Sequence, residues 1–276
     1  MLVWLECLIR ISRAMGSLHE QRRIEVLDSE VDVADQSYFR LLVDGQSIKY
    51  ITVEPMIYRP EVWPFGPPIV WTRMQKPNRR PAALEYVRVA ELPGVQNTWH
   101  ATRVDYKDLS IGRKLGAGIY EARSSAVFGE QAIVAKYAHY IGEIGHIERG
   151  TIVYQWIDSH GIGPRFLGHL TENGRVIGML LERITGVRHS VPEDVEICAR
   201  VLCRLHGLGI RHGDINRFNF LVRGEAAVLL DYAVAGGCNS ESLVLIQREL
   251  DELPMMLSDP LLLDAKPAGA GGGGLL

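Results

Sequence analysis

Two stretches, His212-Gly213-Asp214-Ile215-Asn216-Arg217-Phe218-Asn219 and Val228-Leu229-Leu230-Asp231, hold side chains whose types and spacing suit a definite chemistry. A triphosphate is strongly anionic, so its transfer chemistry needs a divalent cation beside it. Mg2+ takes hard oxygen ligands, usually one or two carboxylates with phosphate and water completing the shell. A hydroxyl that attacks phosphorus needs a nearby carboxylate to orient it and take its proton. Asp214 lies in a loop just after a helix, Asn219 at the start of a short strand, and Asp231 at the end of another. Pairing those strands brings Asn219 and Asp231 together, with Asp214 close by. Asp214 alone could equally be a loop-capping aspartate; the joint register of all three argues for the cation. His212 reads as a buried histidine supporting the loop rather than as a proton shuttle. Gly116-Ala117-Gly118 is a tight turn whose backbone N–H groups could cradle phosphate.

The elements that must hold these groups are legible. Residues 109–116, 119–126 and 131–138 are β-rich runs, and 141–159 is helical up to the stop signal Gly161-Ile162-Gly163-Pro164. Residues 165–170 and 176–184 flank Glu172-Asn173-Gly174, a hairpin with a strong turn dipeptide. The clearest helix spans 192–207, where Cys198, Val201, Leu202 and Leu205 recur at helical spacing, with Pro192 at its start and Gly207 and Gly209 at its end. Short strands at 219–222 and 227–230 and a last helix at about 241–256 follow. Upstream, 37–53 is a hairpin around Asp44-Gly45. Prolines between Pro55 and Pro81, in a stretch that also carries Trp63, Phe65 and Trp71, forbid helix or central strand there. The predicted fold class is α+β: a β-rich lobe over 106–185, a small helical lobe over 186–258, an extension over 1–105 and a low-complexity tail over 259–276.

His212-Gly213-Asp214 through Asn219 matches the H-x-D-x-x-x-x-N catalytic loop of the protein-kinase-like superfamily. The HGD form resembles the aminoglycoside-phosphotransferase, choline-kinase and RIO branches. The wider text, from YITV through FLGHL, GRVIG, LERITG and HGDINRFNFLV, resembles a group of fungal kinase-like proteins. The resemblance implies a bilobal fold using ATP and Mg2+. It makes Asp214 the catalytic carboxylate, places Asn216 near the transferred phosphate, and makes Asn219 and Asp231 the metal ligands. Lys136 corresponds to the strand lysine that binds α/β-phosphates, the Gly116–Gly118 turn to the glycine loop, and Glu182 through Ile184 to the hinge that holds adenine by backbone groups.

The chain departs from the family pattern at several places. The glutamate that pairs the strand lysine is expected at the position of Gly150, with Glu148 two residues off and facing elsewhere and Glu143 near the same face but two turns away. Glu121 stands for the third glycine of the loop, Asp231-Tyr232-Ala233 for Asp-Phe-Gly, and no Ala-Pro-Glu follows. A phosphotransferase acting on an unknown small-molecule or protein acceptor therefore competes with a pseudokinase that binds nucleotide or protein without turnover. A metal-dependent hydrolase built on His206, His212, Asp214 and Asp231 leaves Lys136 without a task.

Composition bounds the rest. The 276 residues, 47% hydrophobic and 23% charged, suffice for a sizeable core without staples. A net charge of −3 gives no bulk attraction to nucleic acid. Cys7, Cys198, Cys203 and Cys238 show no pairing rhythm and read as reduced thiols of a cytoplasmic protein, with Cys198 and Cys203 in the core. The N-terminal MLVWLECLIRISRAMG reads as a short amphipathic helix, and no stretch reaches the length of a membrane span.

Overall fold

The computed structural model describes residues 23–32, 34–53, 92–238 and 243–258. The expected N-terminal helix, the proline-dense segment and the tail over 259–276 lie outside the described residues.

The chain divides into two compact units, Met1–Leu92 and Pro93–Leu276. In the first, β1 (Ile24–Glu30), β2 (Ser37–Val43) and β3 (Ser47–Val53) form an antiparallel sheet in the order β1-β2-β3. The β2–β3 hairpin falls where expected. Asp44 and Gly45 both take positive φ, 54° and 67°, which matches the twist of two-residue hairpin turns. Phe39, Leu41 and Val43 alternate onto one buried face. Arg40 is also buried, and its Nη1 donates to Asp28 Oδ2 at 3.2 Å across the β1–β2 pair.

The second unit carries β4 (Arg103–Asp105), β5 (Ser110–Gly116), β6 (Ile119–Arg123), a one-turn α1 (Ser125–Phe128), β7 (Ile133–Tyr137), α2 (Ile144–Trp156), β8 (Phe166–Glu172) and β9 (Arg175–Glu182). Next come β10 (Arg188–His189), α3 (Val195–Gly207), β11 (Ile210–Arg211), β12 (Phe220–Arg223), β13 (Ala226–Leu229), β14 (Gly236–Gly237) and α4 (Leu243–Ser258). The arrangement is α+β and kinase-like. A six-stranded sheet runs in the order β4-β8-β9-β7-β6-β5, antiparallel except for β4, which pairs parallel to β8. Strand β4, upstream of residue 106, belongs to this sheet, and the two units divide at 92/93.

Register sets which side chains face the helical elements. Glu121 pairs with Val134 and Ile119 with Lys136; Val134 in turn pairs with Leu181 and Lys136 with Met179. Directly paired residues share a face and alternate residues repeat it. Ile119, Glu121, Val134, Lys136, Met179 and Leu181 therefore line one side of the sheet. Helix α2 packs on that side: a Cβ built on Gly150 would sit 3.1 Å from Met179 Cε.

Helix α3 buries Cys198, Val201, Leu202 and Leu205, the periodic set expected. The turn before it, Pro192–Asp194, is 3-10 rather than α. Burial pushes the Cys198 thiol up to about 11, as suits an inert core group. Cys203 is exposed, not in the core. Five residues on at 100° per residue, it lies well around the helix from Cys198. Cys198, Cys203 and Cys238 are free thiols. Among the described residues, no helix is long and apolar enough to cross a membrane.

Candidate active site

The loop after β11 begins with His212, which is fully buried. Its backbone N–H donates to Glu249 Oε2 at 3.1 Å, and the next N–H, Gly213, donates to Glu249 Oε1 at 2.6 Å. His212 Nδ1 lies 3.3 Å from the Asp214 N–H, and Nε2 lies 2.8 Å from the Leu230 carbonyl. An Nδ1 that accepts requires the proton on Nε2, which then donates to Leu230. Burial pushes the imidazole below its ordinary value, against the Leu230 carbonyl and the charges of Glu249, Asp214 and Asp231. A neutral histidine thus ties the loop to the residue preceding Asp231.

Gly213 has φ 86°, and a Cβ there would lie 2.9 Å from the Val234 carbonyl, so both conformation and space demand glycine. Asp214 follows with an exposed carboxylate. Its Oδ1 accepts from Asn216 Nδ2 at 3.0 Å and its Oδ2 from Asn219 Nδ2 at 3.0 Å. Asn219 Nδ2 also reaches the Asp214 carbonyl at 2.8 Å. Asn219 ends a 3-10 turn, Arg217–Asn219, immediately before β12 rather than opening the strand. Asn216 caps that turn, accepting from the Phe218 N–H at 2.9 Å.

Asp231 follows β13 with φ 58°, a left-handed conformation that Asp tolerates because its short side chain bonds locally. Its Oδ1 accepts from the Ala233 N–H at 3.2 Å and from Lys136 Nζ at 2.6 Å. Burial alone would raise this carboxyl; the Lys136 ammonium, with the Ala233 N–H, holds it below the usual carboxylate range. Tyr232, where a phenylalanine was expected, is buried. It meets Tyr154 of α2 edge-on at 5.2 Å, and its hydroxyl donates to the Leu229 carbonyl at 3.2 Å.

No glutamate of α2 reaches Lys136. Glu143 caps the start of the preceding turn, accepting from the N–H groups of His139 at 2.6 Å and Tyr140 at 3.3 Å. Glu148 holds the N–H groups of Gln96 and Asn97 at 2.5 and 3.0 Å. Opposite Gly150, the Met179 tip fills the space a longer side chain would need. Lys136 is bound by Asp231 instead.

The glycine turn closes β5 onto β6. Gly118 has φ 65°, and a Cβ there would lie 2.8 Å from the Tyr137 carbonyl. Its own carbonyl accepts from the Tyr137 N–H at 2.9 Å. Close approach to β7, one residue beyond Lys136, is thus one reason for this glycine; Gly116 is in ordinary contact with Ile119. Glu182 closes β9, its N–H donating to the Arg165 carbonyl at 2.9 Å and its carboxylate accepting from Arg165 Nε at 3.0 Å. Ile184 is half-buried just beyond. Between them Arg183 sends Nε to Glu121 Oε2 at 3.0 Å, so the glutamate at the third-glycine position straps β6 to this segment.

Glu249 of α4 is the residue at this loop that sequence reasoning missed. Besides the two loop N–H groups, it lies 2.9 Å from His206 Nε2 and 3.5 Å from Arg211 Nε. Burial opposes its ionisation, yet the His206 bond and the two backbone donors hold its carboxyl below the ordinary range. His206 faces Glu249 and His212 faces Leu230, so neither is aimed at a metal with Asp214 and Asp231. Among the described residues, no three His, Cys, Asp or Glu side chains could hold one. Asp231 Oδ2 and Asn219 Oδ1, whose amide nitrogen donates to Asp214, take no hydrogen bond among the described residues, and oxygen is the donor Mg2+ prefers.

No protein-family model matches the chain. A stretch of 61 residues is 36% identical to a probable bifunctional tRNA threonylcarbamoyladenosine biosynthesis protein of Methanoculleus marisnigri, covering 22% of this chain and 11% of that protein. A stretch of 77 residues is 35% identical to the protein of the same description in Methanothermobacter thermautotrophicus, covering 27% of this chain and 14% of the relative. The matched parts are thus a small fraction of both relatives.

Proposed function

We propose that the chain is an ATP- and Mg2+-dependent phosphotransferase acting on a hydroxyl acceptor. The observation that carries this reading is the junction of two pairs: Asp214 with Asn219 on one loop, and Asp231 with Lys136 between the lobes. The His212–Leu230 bond links the two pairs. Asp214 orients the acceptor hydroxyl and takes its proton as that oxygen bonds to the γ-phosphorus, while the bond to the β,γ-bridging oxygen breaks and ADP leaves. Asn219 and Asp231 would hold Mg2+, which when bound neutralises phosphate charge. Lys136 exchanges Asp231 for phosphate oxygens, Asn216 keeps Asp214 in place, and the Gly116–Gly118 turn closes over the phosphates. Backbone groups from Glu182 to Ile184 hold adenine. The names of the two relatives make tRNA threonylcarbamoyladenosine biosynthesis the first process in which to seek the acceptor.

A second reading, a pseudokinase that binds nucleotide without turnover, is favoured by Gly150 and by the Glu121–Arg183 strap. Melting the protein with ATP or ADP, with and without Mg2+, tests binding. The natural chain should be stabilised only when Mg2+ is present, and Lys136→Ala and Asp231→Asn should lose the effect. Transfer of phosphate that disappears in Asp214→Ala separates enzyme from pseudokinase. Stabilisation that survives in Asp231→Asn overturns the assigned roles.

A further inference from the structure

Since no glutamate of α2 reaches Lys136, other atoms must tie this helix to the site. Three consecutive residues near its middle point in different directions, each turned about 100° from the last. Glu148 holds the N–H groups of Gln96 and Asn97 at 2.5 and 3.0 Å, on the segment that leads into β4. Gly150 is closed off by Met179 Cε. Between them, Arg149 sends Nη1 to the Ala233 carbonyl at 3.1 Å, a residue 84 positions away along the chain. Arg149 is exposed and has no carboxylate partner among the described residues, so that carbonyl is its anchor.

The other end of Ala233 is already in the site. Its N–H donates to Asp231 Oδ1 at 3.2 Å. The N–H and the carbonyl of one residue belong to two different peptide planes, so a bond at each fixes both dihedrals of Ala233. Tyr154, further along α2, meets Tyr232 edge-on. Helix α2 thus holds both residues that follow Asp231. Asp231 has φ 58°, a conformation that persists where its surroundings enforce it. In the free chain Lys136 shares that task, bonding the same Oδ1 at 2.6 Å. Once Lys136 turns to phosphate, the Ala233 N–H is the one bond left on this carboxylate among the described residues.

We propose that Arg149 is a positioning residue for Asp231: through Ala233 it ties α2 to the metal ligand and takes over the coupling that a glutamate at position 150 would have made through Lys136. This rests on the phosphotransferase reading above. Arg149 acts through Ala233 and not on nucleotide or cation directly. Its effect on the free chain is small, because Lys136 holds Asp231 as well and an exposed bond adds little to global stability. Its effect grows when nucleotide draws Lys136 away and leaves the Ala233 N–H to aim the carboxylate.

The test uses Arg149→Met, which keeps an apolar stem and a good helix former but has no donor. One readout needs no ligand: amide hydrogen exchange at Ala233 in the free chain, followed by NMR, should quicken about threefold or more. The other is the Mg2+ concentration that gives half of the stabilisation by a fixed concentration of ATP, read from melting temperatures. It should rise about three- to tenfold, the range set by one hydrogen bond. The melting temperature of the free chain should move by no more than about 2 °C. Arg149→Lys, which keeps a donor at a slightly shorter reach, should stay within about twofold of the natural chain in both readouts. Glu148→Gln loosens α2 on another face; it should lower the melting temperature yet leave the Mg2+ midpoint within about twofold. The inference is overturned if either readout is unchanged in Arg149→Met, if Arg149→Lys behaves like Arg149→Met, or if Glu148→Gln moves the midpoint as far. A natural chain that Mg–ATP does not stabilise sinks the phosphotransferase reading instead, and exchange at Ala233 then decides the link to Arg149 alone.

Discussion

Removing the Glu249 carboxylate is the sharpest probe of how the candidate catalytic loop is held. This side chain is nearly inaccessible, at 5% exposure, and accepts from two consecutive loop N–H groups and from His206. Hydrogen bonds to a charged acceptor contribute about 1.5–3 kcal/mol each, and a donor left buried without a partner costs about 1–3 kcal/mol. Water admitted into the vacated space recovers part of this. The expected loss for Glu249→Ala is therefore about 3–5 kcal/mol, a large share of the roughly 5–15 kcal/mol that holds a typical domain together. Glu249→Gln retains one accepting oxygen but turns an NH2 toward donors, so roughly half that loss is expected. Urea unfolding reads the difference directly as a fall in midpoint at constant slope. Acid gives a second readout. The Glu249 carboxyl is held below its ordinary 4.5, so its contribution is complete above that value and is lost as pH falls through the folded-state value. His212 is also held below its ordinary 6.5; its neutral form is the one the fold accommodates, so its contribution is complete above 6.5 and declines as pH falls below it. The natural chain should weaken in two stages, starting below 6.5 and steepening below 4.5, and Glu249→Gln should lack the Glu249 share of the second while keeping that of Asp231 and Asp194, which sets in below 3.8. A cost under about 1 kcal/mol for Glu249→Ala, with an unchanged acid profile, refutes the account of the loop.

Three further outcomes are expected. Gly150→Glu should destabilise by about 1–3 kcal/mol because its Cβ meets the Met179 tip at 3.1 Å; Met179→Ala in the same chain should return part of the loss, which a comparison of melting temperatures detects. Gly178→Ala should be among the most damaging single methyl additions, at about 3 kcal/mol or more, since its Cβ would lie 2.5 Å from Tyr137 Cβ and 2.6 Å from the Lys136 carbonyl; soluble yield and urea midpoint check this. A double-mutant cycle on Glu121→Gln and Arg183→Gln should give a coupling of about 1 kcal/mol that shrinks between low and high salt.

What the sequence disclosed follows from range. Helix α3 was legible because its signal, Cys198 through Leu205, is periodic and local. The same holds for the hairpins at Asp44-Gly45 and Asn173-Gly174, whose turn dipeptides carry their own geometry. Gly150 and Glu121 stood out as departures, but their replacements did not, because Met179 of β9 and Arg183 just beyond it reach them from a segment distant along the chain. Glu249 was invisible for another reason: two of its partners are backbone N–H groups, which no residue type announces. Strands β1 and β4 escaped as well. The first carries Glu25, Asp28 and Glu30 rather than alternating apolar residues, and the second spans only Arg103–Asp105. Cys203 shows the converse error, where residue type suggested burial and helix geometry denied it.

The six-stranded sheet ends in two edges, and open edges invite other chains to add a strand. Both are poor templates here. At one end β4 offers only Arg103–Asp105 before the chain turns into a 3-10 helix; at the other, β5 is interrupted twice in its pairing with β6, between Ile111 and Lys114 and again before Gly116. A fragment beginning at residue 106 would lose the first of these guards and lay bare β8, whose Phe166–Glu172 backbone would then be free to recruit copies of itself. Segment 93–105 therefore covers the β8 edge of the sheet with a strand too short to be extended easily.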